Sequence, residues 1–278
     1  MLTPALLAIG ALIPQGAPPE FSGPRAGVNL PQTDGLEVTE KLRAQLPAEA
    51  TLRDPDGATV RLGDLFDGRR PIVLTFNYEN CPQLCSMQLG GFVDALNKEI
   101  SWTVGEQFRV VTVGLDPTET DEQAQRFRAR VLEQYRGGAA ETARSGWAFL
   151  RGDEKTVRAL ADAAGYGFKY VPERNEYAHT ATIVLLTPEG QVSRYLYGIN
   201  FDPQVLRLSL AETADRAFVS TRDKILLSCF VFDPTSHSYT MSAWTATKVA
   251  LSVVALTFFI FLWWLFRHGG PKHELRAA

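Results

Sequence analysis

The chain has 278 residues, and its 28 basic side chains are set against 31 acidic ones, for an isoelectric point near 5.9. That balance provides no electrostatic footprint for nucleic acid, so no nucleic-acid partner is expected. The three cysteines are too few for a disulfide scaffold, and two of them fall in one short motif.

Residues 2–13 are apolar and rich in small side chains, like the hydrophobic region of a signal peptide, although no Lys or Arg precedes them. Five prolines between Pro14 and Pro31 mark a linker, so residues 1–44 read as a signal-like start and a proline-rich linker. The run from Leu52 to Leu62 predicts a β-hairpin turning at Pro55-Asp56-Gly57. Ile72 to Asn77 predicts a buried strand. A helix is then expected from about Pro82 to Ile100, with Leu89, Phe92, Val93 and Leu96 at helical spacing. A second buried strand, Phe108 to Leu115, ends at Asp116-Pro117, and a charged helix from about Asp121 to Tyr135 is broken by Gly137-Gly138. Trp147 to Leu150 reads as a short strand, and Asp153 to Ala164 as a helix with Val157, Leu160 and Ala164 on one face. Ala181 to Leu186 and Val192 to Tyr197 form a hairpin around Thr187-Pro188-Glu189-Gly190, and Asp202-Pro203 caps a helix to about Phe218. This order predicts an α/β fold, a thioredoxin-like mixed sheet flanked by helices, in one domain over residues 45–220.

One further segment does not fit a soluble domain. Val249 to Phe266 is a run of eighteen residues without a charge. Extended back to Ala243 it is long enough to cross a bilayer, which takes about 20 residues. Trp244 at one end and Trp263 with Trp264 at the other resemble interfacial aromatic belts. Arg267, Lys272 and Arg276 follow the segment, whereas no Lys or Arg lies between Lys224 and Lys248. By the positive-inside rule the tail is cytoplasmic and the domain extracytoplasmic, so a single-pass protein of the cell membrane is expected. Residues 221–242 read as a connector, 243–266 as a transmembrane helix and 267–278 as a basic cytoplasmic tail.

The chemistry concentrates at Cys81-Pro-Gln-Leu-Cys85, just past the first buried strand. Pro82 suits a first helical position, and residues i and i+4 of a helix share a face, so both sulfurs point the same way. The positive end of the helix dipole there favours thiolate over thiol. Two thiolates with an imidazole, from the distant His179, suit Cu(I) best and Zn(II) second. His179 precedes the strand beginning at Ala181 and is expected on the loop entering the sheet. His237 reads as a surface-loop residue, and His268 and His273 lie in the basic tail after the membrane helix, out of reach of the site. Cys229, within Leu-Leu-Ser-Cys-Phe-Val-Phe, reads as a packed small hydrophobe. Met87 is expected in the core, Asp116 as a turn cap, and Tyr78 as a packing aromatic or a wall of the site.

Asn77-Tyr-Glu-Asn-Cys81-Pro-Gln-Leu-Cys85, together with Val113-Gly-Leu-Asp116-Pro117, Trp147-Ala-Phe-Leu-Arg-Gly and Tyr177-Ala-His179-Thr-Ala-Thr, resembles the Sco/SenC family of copper chaperones for cytochrome c oxidase. The resemblance implies a thioredoxin-like fold with an inserted hairpin and a copper site made by Cys81, Cys85 and His179. It further implies delivery of copper, or of reducing power, to a copper-receiving oxidase subunit. Many family members carry an acidic residue directly before the histidine. This chain has Ala178, which leaves Glu176 as the substitute carboxylate.

The alternative reading is an enzyme, a thiol–disulfide oxidoreductase acting through a redox-active Cys81–Cys85 pair. Three residues separate these cysteines where thioredoxin-type enzymes have two, and thiol exchange needs no histidine, so spacing favours the chaperone. Peroxide reduction ranks low because no arginine flanks either cysteine, and no general base stands out for zinc hydrolysis.

Overall fold

All six residues of the strand Ile72–Asn77 are buried, because this strand lies at the centre of a five-stranded sheet. The computed structural model describes residues 36–81, 84–98, 101–214, 230–233, 238–241 and 243–268. In chain order the strands are β1 (Thr51–Arg53), β2 (Thr59–Arg61), β3 (Ile72–Asn77), β4 (Arg109–Gly114), β5 (Trp147–Leu150), β6 (Phe168–Val171), β7 (Glu176–His179), β8 (Thr182–Leu186) and β9 (Val192–Tyr197). Helices α1 (Leu84–Lys98), α2 (Asp121–Gln134), α3 (Ala140–Gly146), α4 (Glu154–Ala163) and α5 (Pro203–Thr213) are interleaved with them.

The sheet order is β5-β4-β3-β8-β9, parallel from β3 to β5 and antiparallel through β8 and β9. Alternation along the strands feeds two cores. Val73, Val110, Ile183 and Leu185 pack with Phe92, Val93 and Leu96 of α1 and Leu206, Leu208 and Leu210 of α5. Ile72, Leu74, Phe76, Val111, Val113 and Val184 pack on the opposite face with Val157 and Leu160 of α4 and with Leu52 of the β1–β2 hairpin. Each fully buried side chain of this kind contributes about 1.5–3 kcal/mol. The polar residues in the sheet pair with one another: Thr75 and Thr112 share a 2.9 Å hydroxyl bond, and Trp147 Nε1 donates to Thr112 at 2.9 Å.

This arrangement is a mixed α/β sheet flanked by helices, thioredoxin-like in order. The predicted β1–β2, β3, β4, β5 and β8–β9 strands and the α2 and α4 helices all form. Thr120 and Gln123 make a reciprocal capping box at the start of α2, and Asp153 caps α4. Between β3 and β9, the short α3 and the β6–β7 hairpin were not predicted from sequence. The expected helix start at Pro82 and the far end of the last domain helix, residues 215–218, lie outside the described residues, as do the linker prolines, Cys229, His237 and His273.

Within the segment read as a connector, two strands pair in antiparallel fashion, β10 (Phe230–Asp233) and β11 (Ser238–Met241). A 26-residue helix, α6 (Ala243–His268), follows. At 1.5 Å per residue it is about 39 Å long, more than the ~30 Å hydrocarbon core of a bilayer. Its large apolar side chains, including Leu251, Phe258, Phe259, Phe261 and Trp263, are exposed, and its length and composition suffice to cross a membrane.

Candidate metal centre

Three parallel strands end at one edge of the sheet, and the chain leaves each of them into a loop there. After β3 comes the turn carrying Cys81, after β4 the segment 115–120, and after β5 Arg151. Because β8 runs the other way, its first residues, and His179 just before them, reach the same edge. Sites in open α/β sheets form at this edge, where strand ends leave polar backbone and loops free to vary.

Cys81 is half-buried at the rim of the second core, and its N–H bonds the Tyr78 carbonyl at 3.4 Å. Cys85 lies in the first turn of α1. Gly91 lets this helix approach the segment before α5, since a Cβ at that position would sit 1.7 Å from the Ile199 carbonyl oxygen. The described side chains contain no group of three or more His, Cys, Asp and Glu gathered to hold a metal; that of Cys85 lies outside them.

His179 is not on a loop, as expected, but is the last residue of β7, paired with Phe168 of β6. The hairpin is held down by Arg158, whose guanidinium lies 3.7 Å from the centre of the Phe168 ring and donates to the Phe168 carbonyl at 2.7 Å. His179 is only 7% exposed, and its Nδ1 lies 2.8 Å from the Tyr166 hydroxyl and 3.0 Å from the Thr180 carbonyl. The Tyr166 hydroxyl is also 2.7 Å from that carbonyl. A carbonyl can only accept, so all three contacts are satisfied when Tyr166 donates to Thr180 and Nδ1 carries the proton. In that tautomer Nε2 is the ring nitrogen that carries the lone pair. The carboxylate partner expected for the imidazole is replaced by a phenol and a carbonyl, and Glu176 instead pairs with Arg174 at 2.6 Å.

Tyr78 links the two halves of the site. It is 3% exposed, and its hydroxyl accepts from the Tyr177 N–H and donates to the Tyr177 carbonyl, both at 3.2 Å. Its ring meets the His179 ring edge-on with centroids 6.3 Å apart. The turn that carries Cys81 is thereby tied to the hairpin that carries His179. Met87, expected in the core, is 44% exposed, because it lies about 200° round the helix from Leu89. Asp116 caps its turn as expected, accepting from the Thr118 N–H at 2.9 Å.

Beneath the Cys81 turn lie groups that the sequence reading missed. Glu79 ion-pairs with Arg130 of α2 at 2.9 Å, and its N–H donates to the carboxylate of Glu119. Glu119 is 8% exposed, and burial pushes its carboxyl up to about 7, with the nearby Asp116 and Glu79 carboxylates adding to the rise and the Glu79 N–H and Arg151 opposing it.

The sequence profile of the SCO1/SenC family matches residues 39–214. The chain belongs to the SCO1/SenC family. Among solved structures, two putative electron-transfer and electron-transport proteins of Aquifex aeolicus VF5 are each 25% identical. One has a TM-score of 0.53, covering 62% of this chain and 94% of its own, and the other a TM-score of 0.50, covering 62% and 98%. Yeast Sco1 with copper bound is 18% identical with a TM-score of 0.47, covering 65% of this SCO1/SenC chain and 94% of its own. A search of curated proteins finds no match.

Proposed function

We propose that this protein is a membrane-anchored copper chaperone that binds copper through Cys81, Cys85 and His179 and passes it to the binuclear copper site of a respiratory cytochrome c oxidase. The observation that carries the reading is the histidine: Nδ1 is committed to Tyr166 and Thr180, which fixes the imidazole ring at the sheet edge where the Cys81 turn also lies. Thiol–disulfide exchange has no use for such a ligand, whereas Cu(I) held by two thiolates does. Copper here is cargo, so a site of few ligands at a loop edge suits both loading and release.

In the proposed organisation, residues 1–44 form the signal-like start and linker, 45–220 the copper domain, 221–242 the connector, 243–266 the membrane anchor and 267–278 a cytoplasmic tail. An anchor restricts the domain to a thin layer beside its acceptor, which raises its effective concentration. The oxidase subunit would receive copper on the extracytoplasmic face. The test uses the full chain in detergent. One copper per chain is expected, lost in Cys81→Ser and Cys85→Ser because serine offers only a hard, protonated oxygen. Cu(I) binding that survives both substitutions would overturn the ligand assignment, and fast reduction of unrelated protein disulfides by a chain that takes no copper would replace this reading with the oxidoreductase one.

A further inference from the structure

The turn that presents Cys81 is held from below by one buried carboxyl group. Glu119 belongs to the loop after β4, yet its side chain reaches across to the loop after β3 and accepts the backbone N–H of Glu79, two residues before Cys81. The charged groups around it are all accounted for. Arg151 at the end of β5 donates to the Glu119 carbonyl at 2.6 Å and to the side chain of Asp121, which also lies 3.6 Å from Arg53. Glu79 is committed to Arg130, and Asp116 to its own turn. No cation forms a direct ion pair with the Glu119 carboxylate among the described contacts, so its charge rests largely on the Glu79 amide.

A second observation concerns Asn77, the last residue of β3. It is 1% exposed, and neither its amide nitrogen nor its amide oxygen has a hydrogen-bond partner. Asn77, Glu119 and Arg151 line one cavity of about 20 Å³, a volume that takes a single water molecule. A buried amide without a partner is costly, and such a group in a folded protein calls for a reason.

We propose that Glu119 is a positioning residue with two hydrogen-bonded states, one gripping the Glu79 amide and so fixing the Cys81 turn, the other turned to Asn77 and leaving the turn loose. Ionised, the carboxylate makes a charge-assisted bond to the Glu79 N–H, about twice as strong as a neutral one. Protonated, the group becomes a donor, and Asn77 Oδ1 is the unpartnered acceptor lining the same cavity. One proton moves, taken up from or returned to solvent, the hydrogen bond to the Glu79 amide is exchanged for one to Asn77, and no other covalent bond changes. The exchange falls near pH 7, where burial places the Glu119 carboxyl. Copper would then be held more firmly above neutrality and yielded more readily below it. This inference rests on the copper reading above for its consequence, though not for its geometry.

The test compares wild type with Glu119→Gln, which keeps the shape and mimics the neutral state at every pH. In the metal-free full chain, the amide proton shift of Glu79 is followed by NMR from pH 5.5 to 8.5, and Cu(I) affinity is measured by competition with a bidentate chelator over the same range. In wild type the Glu79 shift should titrate with a midpoint near 7, and in Glu119→Gln it should be flat. Wild type should bind Cu(I) about tenfold more tightly than the variant at pH 8.5 and equally at pH 5.5. A merely structural role would shift affinity by the same factor at every pH, and that result, or a flat Glu79 profile in wild type, overturns the proposal. Should Glu119→Gln fold poorly, Asn77→Ala serves instead, and it should move the wild-type midpoint downward by removing the acceptor of the protonated state; an unmoved midpoint counts against the proposal. A titrating Glu79 amide in a chain that takes no copper would support the two-state carboxyl and remove the copper reading.

Discussion

Tyr166→Phe removes one oxygen atom and nothing else from the support of the proposed histidine ligand. The hydroxyl lost is 2.8 Å from His179 Nδ1 and 2.7 Å from the Thr180 carbonyl, on a residue only 2% exposed. The ring remains stacked on Phe76, with centroids 4.5 Å apart, so core volume is kept. Nδ1 still has the Thr180 carbonyl at 3.0 Å, so its tautomer survives while the ring loses its hydrogen bond to the phenol. Two hydrogen bonds at about 0.5–1.5 kcal/mol each place the stability cost at about 1–3 kcal/mol. For a domain of this size, at about 2–4 °C per kcal/mol, that lowers the melting temperature by roughly 2–12 °C. Loss of the outer partner of a metal-ligating histidine costs about 10–100-fold in metal affinity. The larger loss is expected for Cu(II), which depends more on nitrogen than Cu(I) does. Thermal unfolding of the metal-free protein and competition titrations with each copper ion separate the two effects. A variant destabilised as expected, yet within about twofold of wild type for Cu(II), would refute the claim that Tyr166 orients a metal ligand.

Two further outcomes follow from packing and charge. Burial raises the Glu119 carboxyl from 4.5 to about 7, so the folded state binds a proton more tightly than the unfolded chain does. Stability from this group is therefore full below pH 4.5 and declines up to pH 7, by up to about 3 kcal/mol. Glu119→Gln should match wild type near pH 4.5 and exceed it at pH 8 in denaturant unfolding, and a variant less stable at pH 8 would contradict the sign. Gly91→Ala puts a methyl group 1.7 Å from the Ile199 carbonyl oxygen. Overpacking of this kind costs about 1–3 kcal/mol, and because α1 carries Cys85 the substitution should weaken copper binding as well. An unchanged melting temperature would mean that the helix moves away without penalty.

Most of the sheet could be read from periodicity. β3, β4 and β8 are mostly apolar, with Thr75 and Thr112 the polar residues inside β3 and β4, because helices or hairpins cover both their faces, and Cys81 stands out because it follows β3 closely. The β6–β7 hairpin was missed although Phe168 and Tyr170 alternate towards Tyr177 and His179. Its turn, Val171-Pro-Glu-Arg-Asn175, is strongly polar and closes through Asn175 at a φ of 50°, a conformation that leaves no run of apolar residues to notice. His179 was consequently set one element too late. Tyr166 could not be found as its partner, since the two meet only once β6 and β7 have folded back. Glu119 escaped for another reason: charged residues are read as solvated, and only the convergence of three strand ends buries this one. The long C-terminal apolar helix was plain because a run of eighteen uncharged residues is hard to miss.

The central claim is that Cys81, Cys85 and His179 hold one copper together. X-ray absorption at the copper edge on the Cu(I)-loaded full chain tests it most directly, with His179→Ala beside wild type. The account predicts a shell of two sulfurs and one imidazole nitrogen in wild type, with the nitrogen lost in the variant. A shell of oxygen and nitrogen alone, or one that His179→Ala leaves unaltered, would contradict it.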